Sequence, residues 1–201
     1  MVYTIIGGVN GVGKSSFTGL LSSLPYYNDI GTIINPDKIT ADLEGNAIKG
    51  AKVALNMIND CLDKRVDFTQ ETTLSGHQPL HTVKEAKQNG YYIRLFYIGI
   101  DTLEDSLSRI ENRVARGGHS IPSEIVSKRF EKRFDDLYKM LPYCNEVHFY
   151  DNDNGFIEVG KYRNGELRII RNDPPLWLRQ FDEYIKGIEY SQYLNDTKKH
   201  D

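Results

Sequence analysis

The segment Gly8–Ser15, GVNGVGKS, satisfies the pattern GxxxxGK[ST], a spacing suited to holding a chain of phosphates. Glycines at 8, 11 and 13 permit a tight bend that turns successive backbone N–H groups inward. Gly8, Asn10, Gly11, Val12 and Gly13 are therefore candidates for cradling nucleotide phosphates. Lys14 is expected to reach the β and γ phosphates, Ser15 to offer its hydroxyl to Mg²⁺, and Ser16 to contact the α phosphate. ATP and Mg²⁺ are the cofactors this chemistry asks for. Further along, Asn35-Pro36-Asp37 places a carboxylate at a candidate strand end. Asp37 is read either as a general base for an attacking hydroxyl or as the cap of a helix starting near Ile39. Glu71 with Thr72, Thr73 and Ser75 supplies a second carboxylate and three hydroxyls, suited to a hydroxylated acceptor or to a self-satisfied polar loop.

Arginines form a third group. Arg109, Arg113 and Arg116 recur at i, i+4 and i+7, run into Gly117-Gly118-His119, and are followed by Arg129 and Arg133. Such a segment, about 109–133, has the makings of a lid whose forked guanidinium donors meet a transferred phosphoryl group, with His119 as a further donor. Arg113, Arg116 and Arg129 are assigned to that role. Arg109, in an i,i+4 pair with Asp105, and Arg133 are read as a solvated face.

These groups need a scaffold that brings strand ends together. Val2 to Ile6 reads as a buried strand, 31–35 as a second and 66–71 as a third, while residues 91–100, YYIRLFYIGI, form an apolar run typical of a central parallel strand. Helical spacing begins at Leu43 and continues through Ala47, Ala51, Ala54, Ile58 and Leu62, with Cys61 beside the stripe as a structural thiol. Helices are expected over 79–88, about 102–116 and 122–140, and a strand over 146–151. The sum is an α/β, P-loop NTPase/kinase-type, doubly wound parallel sheet, with ligands at the carboxyl ends of its strands. Asn164-Gly165 marks a β-hairpin, and a helix follows Asn172–Pro175 with Trp177, Phe181, Tyr184 and Ile188 along one side, the tail fraying from Ser191. Residues 1–153 are the expected kinase core, with 154–201 packed on it in the same domain.

Composition narrows the function classes. With 201 residues, 39% hydrophobic and 26% charged, and a net charge of -3, the chain suits one soluble domain with no general attraction for nucleic acid or acidic membranes. No apolar run reaches the roughly 20 residues of a membrane span, and MVYTIIGG lacks the features of a signal peptide, so the cytoplasm is the expected location. Residues 74–78, LSGHQ, differ by one letter from an ABC-type ATPase signature. The strand that should follow such a signature ends in Asp101-Thr102 rather than Asp-Glu, so the likeness is one of spelling.

In combination, GGVNGVGKSS, INPD, ETTLSG, the Gly-Tyr pair before a hydrophobic strand, RVARGGHSIP followed by RF, and YDN resemble the zeta-toxin family of P-loop kinases over about residues 1–153. The resemblance implies ATP-dependent phosphorylation of a sugar hydroxyl, the best-known acceptor being UDP-N-acetylglucosamine, and an antitoxin protein as a partner. It makes Asp37 the base, Glu71 and Thr73 acceptor contacts, and Arg116 and Arg129 the phosphate-binding pair. Arg113 would stack on adenine and Asn152 would border the base. The alternative is a nucleotide-dependent switch or a polynucleotide-kinase-like protein that processes nucleic acid. A continuous basic groove would mark that class, and the charge balance argues against it.

Overall fold

A computed structural model of the protein describes residues 1–24, 30–118 and 120–197; the expectation for His119 lies outside them, as do residues 198–201 of the tail. Val2–Gly7 (β1) alternates its side chains between two apolar layers and is buried on both faces, as a strand inside a parallel sheet must be. It pairs in parallel with Phe68–Thr72 (β3) on one side and Tyr92–Gly99 (β4) on the other. Thr32–Ile34 (β2) flanks β3, Glu146–Asp151 (β5) flanks β4, and the hairpin strands Ile157–Arg163 (β6) and Glu166–Ile169 (β7) extend the sheet antiparallel from β5. The order β2-β3-β1-β4-β5-β6-β7 and the register Gly7 opposite Thr72 and Tyr97 bring the carboxyl ends of the parallel strands to one edge. Glu71, Asp101 and Asn152 all belong to that edge.

The helices are Lys14–Ser23 (α1), Pro36–Asp42 (α2), Ala47–Lys64 (α3), Gln78–Gln88 (α4), Leu103–Ala115 (α5), Ser123–Glu131 (α6), Arg133–Met140 (α7) and Leu176–Thr197 (α8), with a 3₁₀ turn at Leu141–Tyr143. Three depart from expectation, the first being the tail expected to fray from Ser191, where α8 instead continues as helix through Thr197. The apolar periodicity starting at Leu43 does not open one helix there. Glu44 and Gly45, with φ of 57° and 79°, end α2, and Asn46 then caps α3 by accepting from Lys49 N at 3.0 Å. α3 lies so close to α2 that a Cβ on Gly50 would sit 2.1 Å from Thr40 Oγ1. The helix expected over 122–140 breaks at Lys132 with neither proline nor glycine to announce it. The Arg133 guanidinium donates to Phe130 O at 2.8 Å across the break.

One apolar layer joins Ile5, Phe68, Leu95 and Phe149 to Trp177, Phe181 and Cys61, whose thiol pKa burial pushes up. The Trp177 ring occupies the place a side chain on Gly99 would need, 2.1 Å from its would-be Cβ. Trp177 donates through its backbone N to Asp101 at 2.8 Å and through Nε1 to Asp151 at 3.1 Å. The other layer contains Val9, Val12 and Phe17, the last set among Phe96, Tyr150 and Phe156 at ring distances of 5.5, 4.7 and 5.0 Å. Burying Phe17 contributes about 2–3 kcal/mol and fixes the first turns of α1 against the sheet. Among the described residues no helix is long and apolar enough to cross a membrane.

Candidate active site

The link from β1 to α1 has the backbone its glycines allow. Gly8, Gly11 and Gly13 hold φ of 143°, 82° and 94°, and a Cβ on them would lie 2.4 Å from Ile98 O, 2.7 Å from Ser106 O and 2.6 Å from Asn152 Nδ2. The concave loop is thus closed to side chains and open to a ligand approaching its backbone, the fit a polyphosphate requires. Asn10 and Val12 turn their side chains inward. Val12 is buried in the apolar layer, and Asn10, which lines the cavity over the loop, accepts from Arg129 through Oδ1 at 3.0 Å. Ser106 Oγ donates to Asn10 O at 2.7 Å and Asn152 Nδ2 to Val12 O at 2.9 Å. Asn152, expected beside a base, thereby secures the loop itself.

Lys14 Nζ donates to Gly8 O at 2.9 Å and Val9 O at 3.0 Å, folding its charge over the loop. Burial pulls its pKa from 10.5 down to about 8. The nearby Asp37 and Glu71 carboxylates oppose that fall, and the Arg129 and Arg113 guanidiniums add to it. All four of these expected residues therefore lie within electrostatic reach of one ammonium group.

The two carboxylates are held differently. Asn35, not Asp37, caps α2, its side chain accepting from Lys38 N at 3.0 Å, and Pro36 takes the first helical turn. Asp37 remains exposed in that turn. Glu71 is buried and accepts from Ser15 Oγ and Thr18 Oγ1, each at 2.7 Å, while Asn35 Nδ2 donates to Ser15 at 3.1 Å. Thr72 Oγ1 accepts from Leu74 N at 3.0 Å, and Thr73 bonds Ser75 at 2.8 Å. A phosphate-side cavity of ≈ 260 Å³ is lined by Gly11, Gly13, Lys14, Ser15, Ser16, Arg109 and Arg113, and a cavity of ≈ 140 Å³ beyond it by Asn35, Thr72, Thr73 and Arg129. The two meet at Lys14, Asp37 and Glu71. Through Arg129 the second borders a cleft of ≈ 670 Å³ between the 74–80 segment and α6–α7.

Of the arginines, Arg113 and Arg129 reach these cavities, whereas Arg116 caps α5 at its exposed end and lines neither. The solvated face expected for Arg109 and Arg133 does not hold. Arg109 lines the phosphate cavity and pairs with Asp153 at 2.8 Å. Arg133 is packed 3.8 Å from the Phe130 ring centroid and 4.1 Å from that of Phe134, and burial lowers its pKa. Ser106, Thr18 and Asn35 escaped sequence reading. The one available signal was Thr18, a turn beyond Lys14 on the same helix face.

The oxygen donors at Ser15, with Glu71 directly behind them, suit Mg²⁺, an ion that takes few protein ligands and keeps waters and phosphate oxygens. Among the described residues no group of three or more His, Cys, Asp or Glu could hold a metal alone.

No protein-family model matches the chain. An uncharacterized protein of Haemophilus influenzae is 32% identical over 128 residues, covering 61% of this chain and 88% of that one. Among solved structures, a chain of the AvrRxo1-ORF1:AvrRxo1-ORF2 complex with sulphate ions superposes with a TM-score of 0.64 at 16% identity, covering 85% of this chain and 61% of its own. The same complex with ATP gives 0.62 at 16% identity, covering 84% and 60%. A chain from the PezAT chromosomal toxin-antitoxin system of Streptococcus pneumoniae gives 0.58 at 16% identity, covering 78% and 70%. The chain therefore spans about three fifths of the AvrRxo1 chains, and at this identity the likeness is one of fold, a P-loop α/β fold with a mostly parallel sheet.

Proposed function

We propose that this chain, which belongs to the same family as the Haemophilus influenzae protein, is an ATP-dependent kinase that transfers the γ-phosphoryl group to a hydroxyl of a small molecule. The zeta-toxin resemblance favours a nucleotide sugar such as UDP-N-acetylglucosamine as acceptor, and an antitoxin-like partner protein. The observation that carries the reading is the convergence at Lys14: two carboxylates and two guanidiniums meet where the phosphate cavity opens into the next one.

The loop backbone from Gly8 to Gly13 holds the phosphates, and Lys14 exchanges its carbonyl partners for phosphate oxygens. Ser15, backed by Glu71, would hold Mg²⁺, which would supply neutralisation of phosphate charge. Asp37 orients the acceptor hydroxyl. It takes the proton as that oxygen bonds to the γ phosphorus and the bond to the β–γ bridging oxygen breaks, releasing ADP. Arg113 and Arg129 face the oxygens that carry charge during transfer. Thr72 and Thr73 border the acceptor.

The test is to incubate the protein with Mg²⁺ and γ-labelled ATP against a panel of nucleotide sugars, NAD and oligonucleotides. Label on a small-molecule hydroxyl supports the reading. Label on the oligonucleotides alone, or ATP hydrolysis with no labelled acceptor, would replace it with the polynucleotide-kinase or switch class.

A further inference from the structure

One residue of the phosphate loop is bonded both to α5 and to α6. Asn10, only 2% exposed, accepts through its backbone oxygen from Ser106 Oγ of α5 at 2.7 Å and through Oδ1 from Arg129 Nη1 of α6 at 3.0 Å. An arginine only donates, so the amide oxygen must be the atom that meets it. The second bond crosses from one compartment to the next. Asn10 lines the phosphate cavity, whereas Arg129 lines the acceptor-side cavity and the ≈ 670 Å³ cleft beyond it.

Arg129 needs such a partner to stay beside the loop. Its charge repels the Lys14 ammonium, one of the influences that lower the Lys14 pKa. In the other direction Asp135 and Asp136 line the same cleft as Arg129 and attract a guanidinium away from the loop. The Asn10 oxygen opposes both pulls. A carboxylate at position 10 would hold the guanidinium more tightly but would repel the phosphates that the loop receives, and a neutral amide does the first without the second. The bond to Ser106 is made by the Asn10 backbone, so removing the amide leaves the loop tied to α5.

We propose that the Asn10 side chain is a positioning residue, which holds the Arg129 guanidinium beside the phosphate loop and facing the γ phosphate of bound ATP. This rests on the nucleotide-binding reading above, and goes beyond the backbone role that the loop motif gives Asn10.

Titration calorimetry with MgATP and MgADP reads the arrangement, because only ATP carries the phosphate that Arg129 meets. Wild-type protein should bind ATP about tenfold more tightly than ADP, and Arg129→Ala should lose most of that preference. Asn10→Ala should lose about as much, with ADP affinity within about twofold of wild type. Asn10→Ser, whose hydroxyl falls short of the guanidinium, should behave as Asn10→Ala does. The double variant Asn10→Ala/Arg129→Ala should bind ATP no more weakly than Arg129→Ala, since the amide acts through the arginine. Melting curves verify that each variant folds. A side chain that merely holds the loop together would, when removed, weaken ATP and ADP alike and add its loss to that of Arg129→Ala, and either result would overturn the proposal. Wild-type protein with no preference for ATP would overturn it, as would an undiminished preference in folded Asn10→Ala or Asn10→Ser protein. Wild-type protein that binds neither nucleotide overturns the nucleotide reading itself, and this proposal with it.

Discussion

Raising the pH from 7 to 9 should strip the phosphate cavity of its central cation. In the free protein burial holds the Lys14 pKa at about 8, so roughly nine tenths of the molecules carry the ammonium at pH 7 and about one tenth at pH 9. If only the charged form grips the phosphates, apparent ATP affinity falls about tenfold across that interval. Bound phosphates favour the ammonium and raise its pKa, so binding near pH 8 draws about half a proton from the buffer. Titration calorimetry in buffers of different ionisation enthalpy measures that uptake as a slope. Lys14→Met should abolish it.

Loss of fold does not supply an alternative explanation, because the sign is opposite. A lysine whose pKa is depressed in the folded state binds fewer protons there than in the unfolded chain, so between about 8 and 10.5 its contribution to stability grows as pH rises. Weaker binding with an undiminished melting temperature is therefore the expected pair of results. ATP affinity that stays flat from pH 7 to 9 with no proton uptake would refute the electrostatic picture of the cavity.

Gly13→Ala forces a φ of 94° on a residue with a Cβ and drives that carbon against Asn152 Nδ2, displacing its bond to Val12 O. Stability should drop by about 2–3 kcal/mol and the melting temperature by roughly 5–10 °C in calorimetry, with ATP binding lost. Arg133→Ala removes a guanidinium held between two phenylalanine rings. It should cost about 1–2 kcal/mol of stability in denaturant titration yet leave ATP affinity unchanged. Arg129→Ala should do the reverse where it matters, cutting phosphoryl transfer at least about tenfold in a labelled-ATP assay.

The phosphate loop was legible because its demands are local: positive φ at positions 8, 11 and 13 calls for glycine whatever surrounds it. The doubly wound sheet was legible for a similar reason, since strands buried on both faces read as apolar runs. Long-range partners leave no such trace. Helix spacing offers Arg109 a neighbour at Asp105, but it pairs with Asp153 on another element, and Arg133 reaches Phe130 O and Gln180 because the helix breaks at Lys132. Asp37 was visible as a strand-end carboxylate. The Pro36 that lets α2 begin early also hands the cap to Asn35 and leaves Asp37 uncommitted, an outcome settled by one turn of backbone. In sequence Glu71 stands beside Thr72 and Thr73, whereas in the fold it accepts hydrogen bonds from Ser15 and Thr18 on α1.

The central claim is that Asp37 takes the acceptor proton beside phosphates held at Lys14. Its most direct test compares wild type and Asp37→Asn at pH 7, measuring ATP affinity by calorimetry and label transfer to whichever acceptor the panel identifies. The account predicts ATP affinity within about twofold and transfer reduced by about 100-fold or more. Transfer by the asparagine variant at the wild-type rate would contradict it, as would a loss of transfer matched by an equal loss of ATP binding.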